Sequence, residues 1–233
     1  MANMIEVSDR SIFDSDCQTI VNTVNCVGVM GKGVALEYRL RFPEMFEDYE
    51  QYCLTGHLRP GVLHLYTKSK PWILNFPTKN DWKHPSKLSY IEQGLKQLTE
   101  TYSDDGITSI AFPRLGTTSG GLSWNRVQPT MWHFLEPLPN ITVEVYEYRR
   151  GVSDQLFETF CRRTQDFSVD DFVAELGVNN ATAYGIDQAL REGQVSGMVD
   201  FQSIRGVGPR AITSIYDFAT RPNHQPRLEF GHE

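Results

Sequence analysis

The chain has 233 residues, of which 22% are charged and 40% hydrophobic, and its formal net charge is -7. No apolar run approaches the roughly 20 residues of a membrane-spanning helix, and the first residues lack the features of a signal peptide. The negative charge excludes wholesale coating of nucleic acid but not a local basic patch. We therefore expect a folded cytoplasmic protein without membrane contact, with one large domain or one domain and a small companion.

The cysteines and histidines show no pattern of a metal site or a disulfide framework. Cys17, Cys26, Cys53 and Cys161 lack CxxC spacing, and the six histidines form no HxxxH or mixed cluster. Reduced thiols, no metal and no cofactor are the expectation.

Strands and helices alternate through residues 1–150. The predicted strands are Met4–Val7, Thr19–Val24, Val62–Tyr66, Trp72–Phe76, Ser109–Phe112 and Thr142–Tyr148. The predicted helices are Val34–Arg41, Pro43–Tyr52, Lys87–Tyr102 and Asn125–Leu135. Such alternation predicts an α/β domain with helices on both faces of the sheet.

The segment after the second predicted strand has the pattern of an anion site. The β-branched run Thr19–Val24 is followed by a loop with Gly28, Gly31 and Gly33, and a helical pattern opens at Val34. Glycine lets the backbone approach a ligand closely, and the free N–H groups of a helix start attract negative charge.

The common nucleotide fingerprints do not fit this loop. Cys26 stands where a P-loop has its first glycine, and Leu36 stands where the dinucleotide motif has its last one. A phosphate loop of another class and a tight turn both remain open. Asn22 and Asn25, at the end of the strand, either cap that turn or bond the hydroxyls of a ligand.

Another candidate segment of the site follows the fourth predicted strand. The segment Asn75–Trp82 contains Lys79, which would lie near the same end of the sheet. A lone lysine is usually a solvated surface residue. A catalytic lysine requires desolvation or nearby cations, and Lys83, His84 and Lys87 follow closely.

A second glycine-rich loop lies in the segment Ser109–Trp124. Gly116, Gly120 and Gly121 bracket a run of three hydroxyl residues, Thr117, Thr118 and Ser119. Open α/β sheets bind ligands at the carboxyl ends of their strands, where both loops would lie. Two anion-suited loops in one crevice indicate a diphosphate, and an acidic protein favours a compact nucleotide.

The pattern changes after Arg149–Gly151, because no strand is predicted beyond it. The predicted short helices are Phe157–Cys161, Val169–Leu176, Ala181–Arg191, Met198–Ile204 and Pro209–Thr220. We expect a first domain at 1–150 and a small all-helical domain at 153–233.

The segment Phe201–Ile215 resembles a helix-hairpin-helix motif. Its turn is Gly206-Val207-Gly208, flanked by Arg205 and Arg210. Such a turn offers backbone N–H groups to a DNA phosphate without reading sequence. Val169–Tyr184 has the pattern of a helix-turn-helix or of a degenerate partner hairpin, and a plain helical bundle is the alternative to DNA binding.

These segments together resemble the macrodomain family, and within it the DarG-type DNA ADP-ribosyl glycohydrolase antitoxins. The resemblance covers about residues 4–148. It rests on Val21–Gly33, Phe42–Glu44, Tyr49, Asn75–Lys79, Trp82, Gly120–Leu122 and Trp124. It implies a three-layer α/β/α macrodomain that binds ADP-ribose and removes it from ADP-ribosylated DNA, with thymine as the favoured base. It also implies a cognate DNA ADP-ribosyltransferase toxin as a partner.

The resemblance assigns roles to individual residues. Lys79 would be catalytic, acting at the anomeric carbon of the ribose joined to the base, and Asn22 would orient that ribose. The implied ADP-ribose contacts are Asp9, Ser11, Ile12, Asn25, Gly28, Val29, Met30, Gly31, Lys32, Gly33, Val34, Thr78, Gly116, Thr117, Thr118, Ser119, Gly120, Gly121 and Leu122.

The chain departs from the family pattern in two places. Where the family has Gly-Asp for adenine, this chain has Arg10-Ser11, so Asp9 or Ser11 would take that role. The second loop reads Gly116-Thr-Thr-Ser-Gly120, where the DarG type has Gly-Cys-Gly-Asn-Gly. A non-catalytic reader of ADP-ribose or modified DNA, and a hydrolase of ADP-ribosylated protein, are the alternative functions.

Overall fold

A computed structural model describes residues 1–148 and 152–222. The chain divides into two compact units, Met1–Val152 and Ser153–Glu233. Residues 149–151, where the boundary was predicted, and residues 223–233 of the predicted second domain lie outside the described residues.

The first unit contains a mixed sheet. Its strands are β1 (Asn3–Val7), β2 (Thr19–Val24), β3 (His64–Tyr66), β4 (Trp72–Pro77), β5 (Ser109–Pro113) and β6 (Thr142–Tyr146). Their order is β1-β6-β5-β2-β4-β3, and β3 pairs antiparallel with β4 while the other pairs are parallel. The carboxyl ends of β1, β6, β5, β2 and β4 therefore share one edge of the sheet.

The helices of this unit are α1 (Gly33–Arg41), α2 (Pro43–Leu54), α3 (Leu88–Thr101) and α4 (Trp124–Leu135). A short 3-10 helix, Ile12–Asp14, was not predicted, and the predicted strand from Val62 is shorter than expected. The remaining elements follow the predictions to within a few residues.

Two cores separate the three layers. The alternation of a strand sends neighbouring side chains to opposite faces: Ile20 packs with Tyr38 and Met45 on one side, and Val21 packs with the α3 residues on the other. The predicted apolar face of α3 is confirmed, since Ile91, Leu95 and Leu98 are fully buried. The predicted three-layer α/β/α fold is confirmed, with α1 and α2 on one face and α3 and α4 on the other.

The second unit is helical throughout its described residues. It contains α5 (Gln155–Thr164), α6 (Val169–Leu176), α7 (Asn180–Arg191), a 3-10 helix (Met198–Ser203) and α8 (Pro209–Thr220). Phe160, Phe172, Phe201 and Ile215 are buried in its centre. In the parts of the chain that the structure describes, no helix has both the length and the apolarity needed to cross a membrane.

Candidate functional site

Three loops meet at the carboxyl ends of the neighbouring strands β5, β2 and β4. We call residues 25–32 loop 1, residues 78–87 loop 2 and residues 114–123 loop 3. The backbone N–H of Cys26 donates to the carbonyl of Asn80 (3.1 Å), which joins loops 1 and 2. The N–H of Ser86 donates to the carbonyl of Gly120 (3.0 Å), which joins loops 2 and 3. The three sequence segments singled out above therefore form one site.

Loop 1 is shaped by the side chain of Asn25. Its Oδ1 accepts from the N–H groups of Val27 (3.0 Å) and Val29 (3.3 Å), and its Nδ2 donates to the carbonyl of Val29. The hydroxyl of Tyr49 donates to the carbonyl of Asn25 (2.8 Å), which anchors the loop on α2. Asn25 thus makes the turn-stabilising bonds that were one of the two sequence interpretations.

The start of α1 follows loop 1 and is open to an anion. Its N-terminal cap, Lys32, makes no side-chain capping bond with any described residue, and Gly33 has a φ of 59°. Gly31 and Lys32 are exposed. Free N–H groups at a helix start, together with its dipole, favour a negatively charged ligand.

Loop 3 closes tightly around its glycines. The N–H of Leu122 donates to the carbonyl of Gly116 (3.0 Å). A Cβ atom at Gly120 would overlap that same carbonyl and the hydroxyl of Ser86, so this position excludes any side chain. The hydroxyl of Thr117 donates to the backbone of Arg114 (2.8 Å), whereas Thr118 and Ser119 are exposed. Two of the three predicted hydroxyl residues therefore lie on the surface of the site.

The start of α1 and loop 3 approach each other at the ends of β2 and β5. A Cβ atom placed on Gly33 would lie 3.6 Å from the hydroxyl oxygen of Ser119. The start of α1 and the exposed Ser119 of loop 3 are thus neighbours, so one diphosphate could contact both.

Lys79 connects loop 2 with loop 3. Its Nζ donates to the carbonyl of Ser119 (2.8 Å). The residue before it, Thr78, is buried and bonds the end of β2 through Val24 (3.0 Å). The ammonium group therefore lies where the three loops meet, and it has a fixed backbone partner, unlike a freely solvated surface lysine.

Asn22 lies inside the sheet layer. It is fully buried, and its Nδ2 donates to Oδ1 of Asn75 on the neighbouring strand β4 (2.9 Å). Among the described residues its own Oδ1 has no hydrogen-bond partner. Contact of Asn22 with a ribose stays a prediction, and in this structure Asn22 bonds β4 instead.

The bond between the two asparagines continues into a chain of polar side chains that the sequence did not reveal and that ends at the exposed Asp48. Nδ2 of Asn75 contacts Nδ1 of His64 on β3 (3.0 Å), and Nε2 of His64 contacts the carboxylate of Asp48 on α2 (2.9 Å). Neutral His64 with its proton on Nε2 satisfies both contacts. The only sequence signal was an asparagine in the middle of each of two apolar strands.

We expect His64 to make stability depend on pH. Burial lowers the pKa of His64 below its ordinary value, against the opposing effect of Asp48. As pH falls below about 6.5 the unfolded chain takes up the proton first, so stability decreases, by at most about 1.4 kcal/mol per pH unit for one group. His64→Gln keeps a donor and an acceptor without titrating. Urea midpoints at pH 7.5 and 5.5 should decrease less for His64→Gln than for the wild type; equal decreases would contradict this role.

The predicted adenine end lies at the far side of the sheet. β1 is three strands from β2, or about 14 Å at the usual strand spacing. Asp9 is exposed, the hydroxyl of Ser11 accepts from the N–H of Phe13 (3.3 Å), and Ile12 packs in the core. Asp9 is the most accessible of the three residues predicted there.

The residues predicted to contact ADP-ribose differ in exposure. The exposed ones are Asp9, Val29, Gly31, Lys32, Thr118, Ser119 and Gly121. The half-buried ones are Ser11, Gly28, Gly33, Val34, Thr117 and Leu122. The buried ones are Ile12, Asn25, Met30, Thr78, Gly116 and Gly120. Apart from Ile12, which packs in the core, the buried residues belong to the three loops, and the exposed residues are available to a ligand.

The predicted hairpin of the second unit has an open helix start. Gly206 has a φ of 92°, and Arg205, Gly206, Gly208 and Arg210 are exposed while Val207 is half-buried. The cap of α8, Gly208, provides no side-chain bond to any described residue. The start of α7, in contrast, is capped by the side chain of Asn179. The starts of α7 and α8 therefore differ in their capacity for an anion.

Comparison with known proteins identifies relatives of the first unit. The Macro domain family model matches residues 21–131. A Mycobacterium tuberculosis protein named DNA ADP-ribosyl glycohydrolase is 40% identical over 147 residues, which are 61% of this chain and 42% of the relative. The chain thus spans less than half the length of that curated relative.

Solved structures that are similar to this chain also include macrodomains. The macrodomain of Mycobacterium tuberculosis DarG is 38% identical with a TM-score of 0.61, covering 64% of this chain and 100% of that one. Thermosipho africanus DarTG in complex with ADP-ribose is 36% identical with a TM-score of 0.60, covering 64% and 42%. The curated Thermosipho africanus relative, 34% identical over 61% of this chain and 41% of its own length, is named a DNA ADP-ribosyl transferase-DNA ADP-ribosyl glycohydrolase fusion protein.

Proposed function

Because the chain belongs to the macrodomain family, we propose that it is a DNA ADP-ribosyl glycohydrolase. It binds ADP-ribose in the crevice of loops 1, 2 and 3 and hydrolyses the bond between the distal ribose and a base of DNA, with thymine as the proposed base. The names of the relatives at 34% and 40% identity support this activity.

The observation that supports it most is the position of Lys79 at the junction of the loops. Its Nζ lies 2.8 Å from the carbonyl of Ser119, and the hydroxyl oxygen of Ser119 lies 3.6 Å from the position of a Cβ atom on Gly33, the first residue of α1. A diphosphate bound between α1 and loop 3 would bring its distal ribose towards the ends of β2 and β4, and Lys79 follows the end of β4 by two residues. The adenosine would extend past β6 towards Asp9.

The chemistry requires few groups. The bond from the anomeric carbon to the base breaks, the base takes up a proton, and the hydroxyl of water completes free ADP-ribose. Lys79 either attacks the anomeric carbon, to be released by water, or transfers the proton; both roles need its nitrogen near that carbon. Reduction with borohydride during turnover would trap a lysine adduct in the first case only.

The test is a comparison of three reactions. The protein is incubated with an oligonucleotide carrying ADP-ribosyl-thymidine, with an ADP-ribosylated protein, and with free ADP-ribose in a calorimeter. We expect ADP-ribose and unmodified DNA from the first reaction. Binding without release from either substrate would indicate a reader, and release from protein alone would indicate a protein hydrolase; either result would contradict the proposal.

A cognate DNA ADP-ribosyltransferase is part of the proposal. The Thermosipho africanus fusion protein combines a transferase and a glycohydrolase by name, which supports such a partner. The proposed partner supplies the modified DNA that the crevice would act on.

We propose in addition that the helix-hairpin-helix-like turn of the second unit contacts DNA phosphates. The support is the uncapped start of α8 between the exposed Arg205 and Arg210. The double variant Arg205→Ala/Arg210→Ala should weaken binding to unmodified duplex DNA and reduce the slope of log K against log salt by about 2. Arg162→Ala, an exposed arginine on α5, is the control; equal slopes for all three proteins would contradict DNA contact by this turn.

A further inference from the structure

Loop 2 carries an exposed tryptophan beside Lys79. The side chain of Trp82 is 52% exposed, whereas the other three tryptophans are half-buried. Val27 and Val29 of loop 1 are 48% and 40% exposed. Large exposed apolar side chains that cluster on a surface indicate a contact with another molecule.

Backbone contacts hold this apolar group next to the proposed reaction centre. The N–H of Cys26 donates to the carbonyl of Asn80, and the thiol of Cys26 donates to the carbonyl of Lys79 (3.4 Å). Val27 directly follows Cys26, and Trp82 lies two residues after Asn80. The exposed tryptophan is therefore on the rim of the crevice and not on a distant surface.

The rim is positively charged although the chain is not. Residues 79–87 contain three lysines and a histidine against one aspartate, while the whole chain has a net charge of -7. The ammonium of Lys83 lies 5.5 Å from the centroid of the Trp82 ring. Asp81 accepts from the N–H of Lys83 (2.9 Å) and its carbonyl accepts from the N–H of His84 (3.1 Å), which orders the turn.

We infer that Trp82 and Lys83 form a subsite for a nucleotide of single-stranded DNA next to the modified base. The indole stacks on the neighbouring base, and Lys83 pairs with its phosphate. This subsite rests on the proposed function and adds to it two residues that would hold the neighbouring nucleotide. An exposed ring beside a cation fits an unstacked base and a phosphodiester, because every base has a stacking face and every nucleotide has a charge.

The size of the effect follows from base–aromatic stacking. Loss of one stacking side chain costs about 1–3 kcal/mol, which is about a 5- to 150-fold decrease in binding. The decrease applies only to substrates that possess a neighbouring nucleotide. The isolated modified nucleoside has none and serves as the internal reference.

The experiment measures kcat/KM on two substrates: ADP-ribosyl-thymidine as a nucleoside, and the same group in the middle of a single-stranded oligonucleotide. Trp82→Ala should lower kcat/KM on the oligonucleotide about tenfold or more and leave the nucleoside reaction unchanged. Trp82→Phe should restore part of the loss, and Lys83→Ala should lower the oligonucleotide reaction in a salt-dependent way. Leu54→Ala and Lys96→Ala, exposed on α2 and α3, are the matched controls.

Each outcome decides one question. Equal losses on both substrates, or no loss on either, would overturn the subsite while the wild-type turnover upholds the proposed function. A wild type that cleaves neither substrate would overturn the proposed function and the subsite with it. A preference of the wild type for modified duplex over single-stranded DNA would also contradict the stacking role. Unchanged ADP-ribose binding by Trp82→Ala in a calorimeter confirms that the variant is folded.

Discussion

Lys79→Ala should abolish release of ADP-ribose from modified DNA while ADP-ribose itself still binds. Within the described residues the hydrogen bond of the ammonium is to the backbone carbonyl of Ser119, so its removal deletes the reacting group and should leave the glycine loops and the start of α1 in place. A positioned acid, base or nucleophile typically contributes about 10²- to 10⁴-fold to the rate. Release is followed by chromatography and binding by calorimetry.

Two further variants separate chemistry from charge. Lys79→Arg keeps a cation that bonds loop 3 but is a poor nucleophile and proton donor, so it should be almost as inactive as Lys79→Ala. Lys96→Ala removes an exposed lysine from α3 and should act like the wild type. Full activity in Lys79→Ala would contradict the proposed mechanism.

Gly120→Ala should lower the affinity for ADP-ribose. The new methyl group would overlap the carbonyl of Gly116 and the hydroxyl of Ser86, so loop 3 must open to accept it. Overpacking of this kind costs about 1–3 kcal/mol. If ligand binding must restore the closed loop, that free energy corresponds to a loss of about 5- to 150-fold in affinity. Calorimetry with ADP-ribose measures the change.

The matched control is Gly56→Ala, after α2. Gly56 has a φ of 72°, and a Cβ there meets no atom of the described residues within 4 Å apart from its chain neighbours, so the substitution strains the backbone without blocking the site. It should reduce thermal stability slightly and leave ADP-ribose affinity unchanged. Equal losses of affinity in both glycine variants would show that general destabilisation, and not closure of loop 3, explains the result.

Local patterns predicted most of the elements because their causes are local. The predicted bounds of β2, which has a β-branched run, and of α8, which starts at Pro209, are both confirmed. The apolar spacing along α3 likewise gave its buried face. Strand–loop–helix units were visible for the same reason, so the crevice could be expected at the carboxyl ends of the strands.

The contacts between strands were not visible, because they depend on strand order and register. Asn22 and Asn75 are opposite each other only because β2 and β4 pair with that register. His64 and Asp48 join them only because β3 and α2 pack beside β4. The bond from Asn22 to Asn75 could therefore not be expected from the sequence, and contact of Asn22 with a ribose stays a prediction.

The positions of the loops along the chain were predicted, but the contacts within and between them were not. Glycine content indicated close approach, yet the exclusion of a side chain at Gly120 depends on Ser86 from loop 2. The use of the Thr117 hydroxyl within loop 3 and the burial of Ile12 depend equally on tertiary packing. Exposure separated the residues that shape the loops from those that a ligand can reach.

The central claim is that the crevice presents the anomeric carbon of ADP-ribose to Lys79. A crystal structure of the protein soaked with ADP-ribose tests it most directly. We expect the diphosphate between the start of α1 and loop 3, the adenosine towards β1, and the anomeric carbon about 3–3.5 Å from Nζ of Lys79. A ligand whose distal ribose points away from Lys79, or which lies outside the three loops, would contradict the account.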